Sequence, residues 1–324
     1  MLVSINLFEK TAEKDVFVCH MENDNGMTVE ILSFGGTIRS ISVPGRNNAF
    51  ADVVLGHEKM AGGYSTPYGY GAALIGRFAN RIKGGVFETE EGKWILEKND
   101  GDNTLHGASG GYGSKHFNMT SSHLGDRVQC ILKLIDIGEG GFPGSVEIKA
   151  VYTLYAHNEL EIAYSAVPDH DTVINLTNHA FFNLAGHGCG SVERQKLRIA
   201  SDFYTPNDEN CVPTGEVLSV KGTVFDFTEF RALGDGFASG DKQIEMFRGY
   251  DHNLCLRGRN YRQVMEAIDP DSGRCMIVHT DLPGVQLYTT NNEIPAEVEF
   301  KEGAHYSIHQ AFCFETQFFP DSAG

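Results

Sequence analysis

Short alternating or apolar runs, each closed by glycine, proline, asparagine or aspartate, recur along the whole chain, at residues 29–43, 84–96, 127–136, 145–167, 172–184, 196–204, 273–280 and 284–291. Alternation sends successive side chains to opposite faces of an extended backbone, so the pattern predicts strands that each bury one face. Two hairpins stand out. One turns at His157-Asn158-Glu159 between Val146–Tyr155 and Leu160–Val167, and the other turns at 269–273 ahead of Arg274–Thr280. Helical periodicity is weak, with Lys242–Phe247 the best short candidate. Many strands joined by turns, without alternating helices, predict an all-β fold in the form of a large antiparallel β-sandwich.

Two of these runs carry an ionisable group where an apolar one is usual. In 311–318, Phe312, Phe314, Thr316 and Phe318 share one face, leaving Ala311, Cys313, Glu315 and Gln317 on the other. In 174–184, Ile174, Leu176, Ala180, Phe182 and Leu184 fall on one side, and Asn175, Thr177, His179, Phe181 and Asn183 on the other, with only Asn178 out of step. A general acid or base must be held still and its pKa moved toward the working pH, which an anchored strand beside other polar groups provides. His179 and Glu315 therefore read as a split acid/base pair, against the plainer reading of a buried histidine and glutamate that only satisfy hydrogen bonds.

Composition narrows the function. The formal charge of −17 opposes nucleic-acid binding, which needs clustered Lys and Arg. The 37 glycines and 10 prolines form no linker or low-complexity tract, so residues 1–324 read as a single domain. Seven scattered cysteines without C-x-x-C spacing read as free thiols in a reducing compartment. The first residues lack the pattern of a signal peptide and no run reaches membrane-spanning length, so the expectation is a cytoplasmic protein with no membrane partner.

Five segments, in order, resemble the aldose 1-epimerase family, also called galactose mutarotase: 76–82 (Gly-Arg-Phe-Ala-Asn-Arg-Ile), 104–107 (Thr-Leu-His-Gly), 177–186 (Thr-Asn-His-Ala-Phe-Phe-Asn-Leu-Ala-Gly), 251–253 (Asp-His-Asn), and 284–289 (Gly-Val-Gln-Leu-Tyr-Thr) followed by 314–317 (Phe-Glu-Thr-Gln). The segments 52–56 and 141–144 are similar to family segments as well. The resemblance implies a β-sandwich of the galactose mutarotase type that interconverts the α- and β-anomers of free hexoses such as galactose and glucose, with no cofactor and no metal. It matches Glu315 to the family's base and His179 to its acid, and Asn80, Arg81, His106, Asp251 and Gln286 to residues that bind the sugar. A mixed set of carboxylate, amide, imidazole and guanidinium suits hydroxyls that both donate and accept. Each residue also has a bland reading: Arg81 as part of a solvated Arg77/Arg81/Lys83 cluster, Asp251 as a turn or cap, Gln286 as an edge polar group, His106 as a loop residue. The partner expected is a small sugar, and the protein itself a monomer or weak homodimer.

The sequence departs from the family at Ala108, where a second glycine is usual after Leu-His-Gly, and at its end, since Gly324 follows soon after Glu315. The expectation is a chain lacking the family's final strand, or a sheet closed differently. Three rival functions stay open: a silent sugar-binding or regulatory relative, an epimerase of hexose 6-phosphates served by Arg77, Lys83 or Lys115, and a glycoside hydrolase built on Glu315 and Asp251. His305 and His309, four apart, lack the glutamate of the zincin motif and carry no metal expectation. The glycine-rich 107–113 reads as a loop beside the site, and Trp94 as strand packing.

Overall fold

The computed structural model describes residues 1–66, 71–293 and 298–324. Its architecture is antiparallel β throughout the main sheets. Leu2–Glu9, Val16–Glu22, Thr28–Leu32, Ile38–Pro44 and Phe50–Asp52 form a five-stranded sheet in chain order, and Asn118–His123, Arg127–Asp136, Val146–Tyr155 and Leu160–Pro168 form a four-stranded one. The two face each other. Cys19, Met21, Val29 and Ile31 from the first meet Val128, Cys130, Leu132, Ala150 and Tyr152 from the second in one buried cluster, and the thiols of Cys19 and Cys130 touch. Period two explains this: in Val146–Tyr155 the buried Val146, Ile148, Ala150, Tyr152 and Leu154 are every second residue.

A six-stranded sheet runs in the order Phe181–Phe182, Phe312–Gln317, Gly284–Tyr288, Asp251–Leu256, Ser201–Thr205, Leu218–Ser219. Another sheet orders Arg231–Ala232, Lys196–Ile199, Arg262–Ile268 and Cys275–Thr280. The expected hairpin of Val146–Tyr155 with Leu160–Pro168 is present, its turn held by Asn158 at φ 64°, a conformation asparagine tolerates. The helix Lys242–Phe247 also stands where expected, started by Asp241, whose side chain accepts from the Gln243 N–H.

Four runs differ from their sequence reading, each dividing into two strands. Residues 84–96 are the hairpin Val86–Thr89 with Gly92–Ile95, and 196–204 splits into Lys196–Ile199 and Ser201–Thr205, which belong to different sheets. Residues 29–43 divide into two strands, Thr28–Leu32 and Ile38–Pro44, hairpinned on each other. Residues 172–184 are not one strand: Thr177–Asn178 pairs with Leu74–Ile75, and Phe181–Phe182 pairs with Phe312 and Cys313 of the six-stranded sheet. The chain changes sheets at His179 and Ala180, and this is why Asn178 breaks the alternation. His179 is clamped at the crossing by its N–H to the Ala73 carbonyl at 3.0 Å and its carbonyl to the Ala72 N–H at 2.9 Å. Asp251, read alone as a turn or cap, begins a central strand instead.

Candidate active site

The registers of the six-stranded sheet sort its residues into two faces. Asn253 lies opposite Gln286, and Gln286 opposite Glu315; Asp251 lies opposite Tyr288, and Tyr288 opposite Cys313; Gln317 lies opposite Gly284. Directly paired residues share a face, so Asp251, Asn253, Gln286, Tyr288, Glu315 and Gln317 stand together. Leu254, Leu256, Val285, Leu287, Phe312 and Phe314, between them in sequence, fill the hydrophobic core behind. The apolar face fixes the sheet while the polar face gathers the chemistry. His252 belongs with the core face: it is fully buried, its Nε2 lies 3.0 Å from Gln243 Oε1, and burial pushes its pKa down to about 4.

His179 and Glu315 come together on the polar face, Nε2 to Oε1 at 3.4 Å, although 136 residues of sequence separate them. Phe181 stacks on the His179 ring at 4.8 Å and Tyr288 meets it edge-on at 6.0 Å, so the imidazole is held between aromatic surfaces. Burial pushes His179 down to about 4. Burial, reinforced by the Asp251 charge and opposed by Arg81, pushes Glu315 well above the ordinary carboxylate range. Each shift favours an uncharged group, and at 3.4 Å the two groups are close enough to pass a proton between them. Together they retain one transferable proton, on the carboxyl or on the imidazole, over the pH range between those limits.

Asn80, Arg81 and His106 approach from the other side of the pair. Arg81–Ile82 pairs with Thr104–Leu105, which carries His106 up to Asn80. The Asn80 N–H donates to His106 Nδ1 at 3.1 Å, and the His106 N–H donates to the Asn80 carbonyl at 3.1 Å. Because Nδ1 accepts, the neutral His106 ring carries its proton on Nε2, where it can donate. Burial, with His179 and Arg81 nearby, keeps that ring neutral. Gly107 follows at φ 85°, and a Cβ there would sit 2.3 Å from the Gly76 carbonyl oxygen, so only glycine allows this turn. Ala108 takes the place of the family's second glycine in the same left-handed region, at φ 53°.

Asp251 is held on both oxygens: Oδ1 accepts from Gln286 Nε2 at 2.6 Å and Oδ2 from the Cys211 thiol at 3.3 Å. Burial, with Asp251 beside it, pushes the Cys211 pKa up, so the thiol remains a donor. Arg81 Nε donates to Asp100 Oδ2 at 2.7 Å. Above these groups opens a cavity of about 560 Å³, lined among others by Arg81, Asp100, Cys211, Arg248, Asp251 and Tyr288. Another depression of about 590 Å³, lined by Asp226, Glu229, Arg231 and Asp241 among others, contains no histidine. Sequence reasoning missed Asp100, Cys211, Phe181 and Tyr288. Only the pairing of Arg81–Ile82 with Thr104–Leu105 brings Asp100 to Arg81, and only the folding of 207–211 onto Asp251 brings Cys211, so no local motif marks either.

The remaining sequence candidates lie elsewhere. Arg77 is fully buried on Asp136 and Lys115 pairs with Glu139. His309 Nε2 donates to the Arg248 carbonyl at 2.7 Å and the ring stacks on Phe237, a packing role. Trp94 donates to Thr89 Oγ1 within the hairpin Val86–Thr89/Gly92–Ile95. Among the described residues one metal-capable group appears, formed by His106, His179 and Glu315, whose donor atoms lie within 4.8 Å of one another. All seven cysteines are free thiols. No helix among the described residues is long and apolar enough to cross a membrane.

Comparison with known proteins places the chain among relatives. The family model for aldose 1-epimerase matches residues 18–324. A galactose mutarotase of Bos taurus is 37% identical over 299 residues, covering 91% of this chain and 84% of its own. An aldose 1-epimerase of Haemophilus influenzae is 33% identical over 304 residues, covering 93% of this chain and 86% of its own. The crystal structure of a galactose 1-epimerase from Lactobacillus acidophilus has a TM-score of 0.88 at 28% identity and covers 99% of this chain and 91% of its own. With the antiparallel β-sandwich of its relatives and a match over nearly its full length, the chain belongs to the aldose 1-epimerase family.

Proposed function

We propose that this protein is an aldose 1-epimerase that interconverts the α- and β-anomers of free hexoses such as galactose and glucose. The observation that carries the proposal is the buried contact of His179 Nε2 with Glu315 Oε1 at 3.4 Å, on a face otherwise lined by hydroxyl-binding groups. Anomerisation needs a base to take the proton from O1 and an acid to protonate the ring oxygen O5. The C1–O5 bond then breaks, C1 becomes a carbonyl carbon, rotation about C1–C2 presents its other face, and O5 re-adds. During reclosure each group returns the proton it exchanged, so the site ends as it began. Glu315 is assigned as the base and His179 as the acid. Their single shared proton supplies what the step requires: in the productive state Glu315 is ionised and His179 protonated, and that state differs from the uncharged one only by transfer within the pair.

Asp251, Gln286, Arg81, His106 and Asn80 are assigned to the sugar. The Asp251 carboxylate, oriented by Gln286 and Cys211, accepts from hydroxyls; the Arg81 guanidinium and His106 Nε2 donate; and Gln286 Oε1, buried and without a partner among the described residues, accepts. Asn80 orients His106 through its N–H.

The rivals are weakened by the geometry. Of the cations offered to a phosphosugar, Arg77 and Lys115 are committed to Asp136 and Glu139, and Lys83 is exposed and does not line the cavity. The cavity lining sets three carboxylates, Asp100, Glu209 and Asp251, against Arg81 and Arg248, which opposes a phosphate dianion. Polarimetry decides: freshly dissolved α-D-galactose and α-D-glucose reach their final rotation faster with the protein, while glucose 6-phosphate gains little and a methyl galactoside releases no reducing sugar. A folded protein that leaves both free hexoses at the spontaneous rate refutes the assignment.

A further inference from the structure

The polar face holds more buried groups than this chemistry uses. Glu315 is 2% exposed, Gln286 2%, Asn253 1% and Gln317 0%. Five of their polar atoms have no partner among the described residues: Asn253 Oδ1, Gln286 Oε1, Glu315 Oε2, and both Oε1 and Nε2 of Gln317. They are neighbours by register. Gln286 has Asn253 on one side and Glu315 on the other, and Gln317, two residues beyond Glu315, lies opposite Gly284. Gly284 allows a close approach here: a Cβ at this position would meet Asn253 Oδ1 at 2.4 Å and the Phe319 ring at 2.8 Å, so only a glycine lets these two side chains close over the strand.

The donor and acceptor balance of these atoms is one-sided. With Glu315 ionised, as the proposed step requires, four of the atoms are oxygens that accept, and only Gln317 Nε2 donates. The Gln286 amide cannot turn to help, because its Nε2 is engaged by Asp251, and Asn253 Nδ2 is directed to Thr205 Oγ1. Unpaired groups buried this deeply are costly, and the small molecule that offers two donors to such oxygens and an acceptor to an amide N–H is water. We infer that these unpartnered atoms enclose a buried water, which Gln317 holds and which donates to Glu315 Oε2, so that Gln317 positions and stabilises the ionised carboxylate. His179 contacts Oε1, and the water serves the opposite oxygen. Gln317 is then a positioning residue that touches no substrate.

The inference rests on the role given to Glu315, and its test separates the two. Gln317→Met keeps the length of the side chain and removes its hydrogen bonding. Loss of a hydrogen bond that supports a charged group predicts a fall in kcat for α-D-galactose of about tenfold, with KM changed less than about twofold. The thermal midpoint should hold or rise, because an unpaired buried amide has been removed. A structural amide would give the opposite, a lower midpoint with kcat unchanged at a temperature where the variant is folded, and that result overturns the inference. Should the variant not fold, a high-resolution crystal structure of the wild type decides: water within hydrogen-bonding distance of both Glu315 Oε2 and the Gln317 amide supports the site, and direct bonding among these side chains refutes it. An inactive wild type with that water in place would count against the enzyme assignment and leave the water site standing.

Discussion

Asp136 and Glu315 are carboxylates buried in one molecule against opposite surroundings. Asp136 Oδ2 accepts from Arg77 Nε at 2.8 Å and from the Tyr112 hydroxyl at 2.7 Å, and Oδ1 accepts from the Gly138 N–H at 2.8 Å. Arg77 spends its other nitrogens on the Pro143 and Gly144 carbonyls and Thr172, with its guanidinium 5.4 Å from the Phe142 ring. Burial pushes Asp136 up, yet those bonds outweigh it and hold the carboxyl below its ordinary value. Around Glu315 burial wins. Among the described residues its Oε2 has no partner and His179 Nδ1 is also unpaired, and its contact with His179 is long at 3.4 Å. A buried pair with every valence used supports the fold; a buried pair left short of partners is held ready for a ligand's hydroxyls and protons.

Breaking each pair should give opposite signatures. The largest effect falls on the unsatisfied pair: Glu315→Gln or His179→Asn should each lower kcat by about 10²- to 10⁴-fold, the range for losing a general acid or base. Thermal midpoints should stay near wild type, since no strong bond is lost. Steady-state polarimetry beside a melting curve checks both halves, and an unimpaired rate in either folded variant removes that residue from the mechanism. On the satisfied pair, Arg77→Met should cost about 3–5 kcal/mol of stability by leaving Asp136 buried and uncompensated. Denaturant unfolding measures that cost, and kcat per folded molecule should survive.

The smallest expected effect is a flat pH response. The proton shared by His179 and Glu315 is lost only as pH rises through the raised pKa of Glu315, and a second is gained only as pH falls to about 4, where burial has placed His179. Between these limits the pair keeps one proton, so kcat should stay level through the mildly acidic range and fall only toward the lower limit. A limb near the ordinary imidazole value of about 6.5 would mean that His179 is solvated.

Much of this was legible in the sequence because it depends on period two. The alternation in 311–318 puts Glu315 and Gln317 opposite three phenylalanines, and the structure keeps that division for Phe312 and Phe314, which lie in the core, while Phe318 is exposed past the end of the strand Phe312–Gln317. The run at 172–184 misled for a physical reason: a chain that leaves one sheet and enters another continues to alternate approximately, and the single break at Asn178 is too slight a local sign to separate a crossing at His179 from a continuous strand. Partners distant in sequence were hidden too. Asp100 on Arg81, Cys211 on Asp251 and the Asn80–His106 clasp each require two loops to meet, and loop meetings leave no periodic trace. The Asp-His-Asn motif at 251–253 was visible as a unit, whereas its division into two faces, with Asp251 and Asn253 toward the site and His252 in the core, appears only from the register.

The central claim is that His179 and Glu315 exchange protons with the sugar as one unit, and a double-mutant cycle on α-D-galactose mutarotation tests it most directly. If they act together, the Glu315→Gln/His179→Asn double variant should lose no more than about tenfold beyond the worse single variant, because either loss already disables the unit. Losses that multiply in full would mean two independent contributions, and the account of a shared proton would fail.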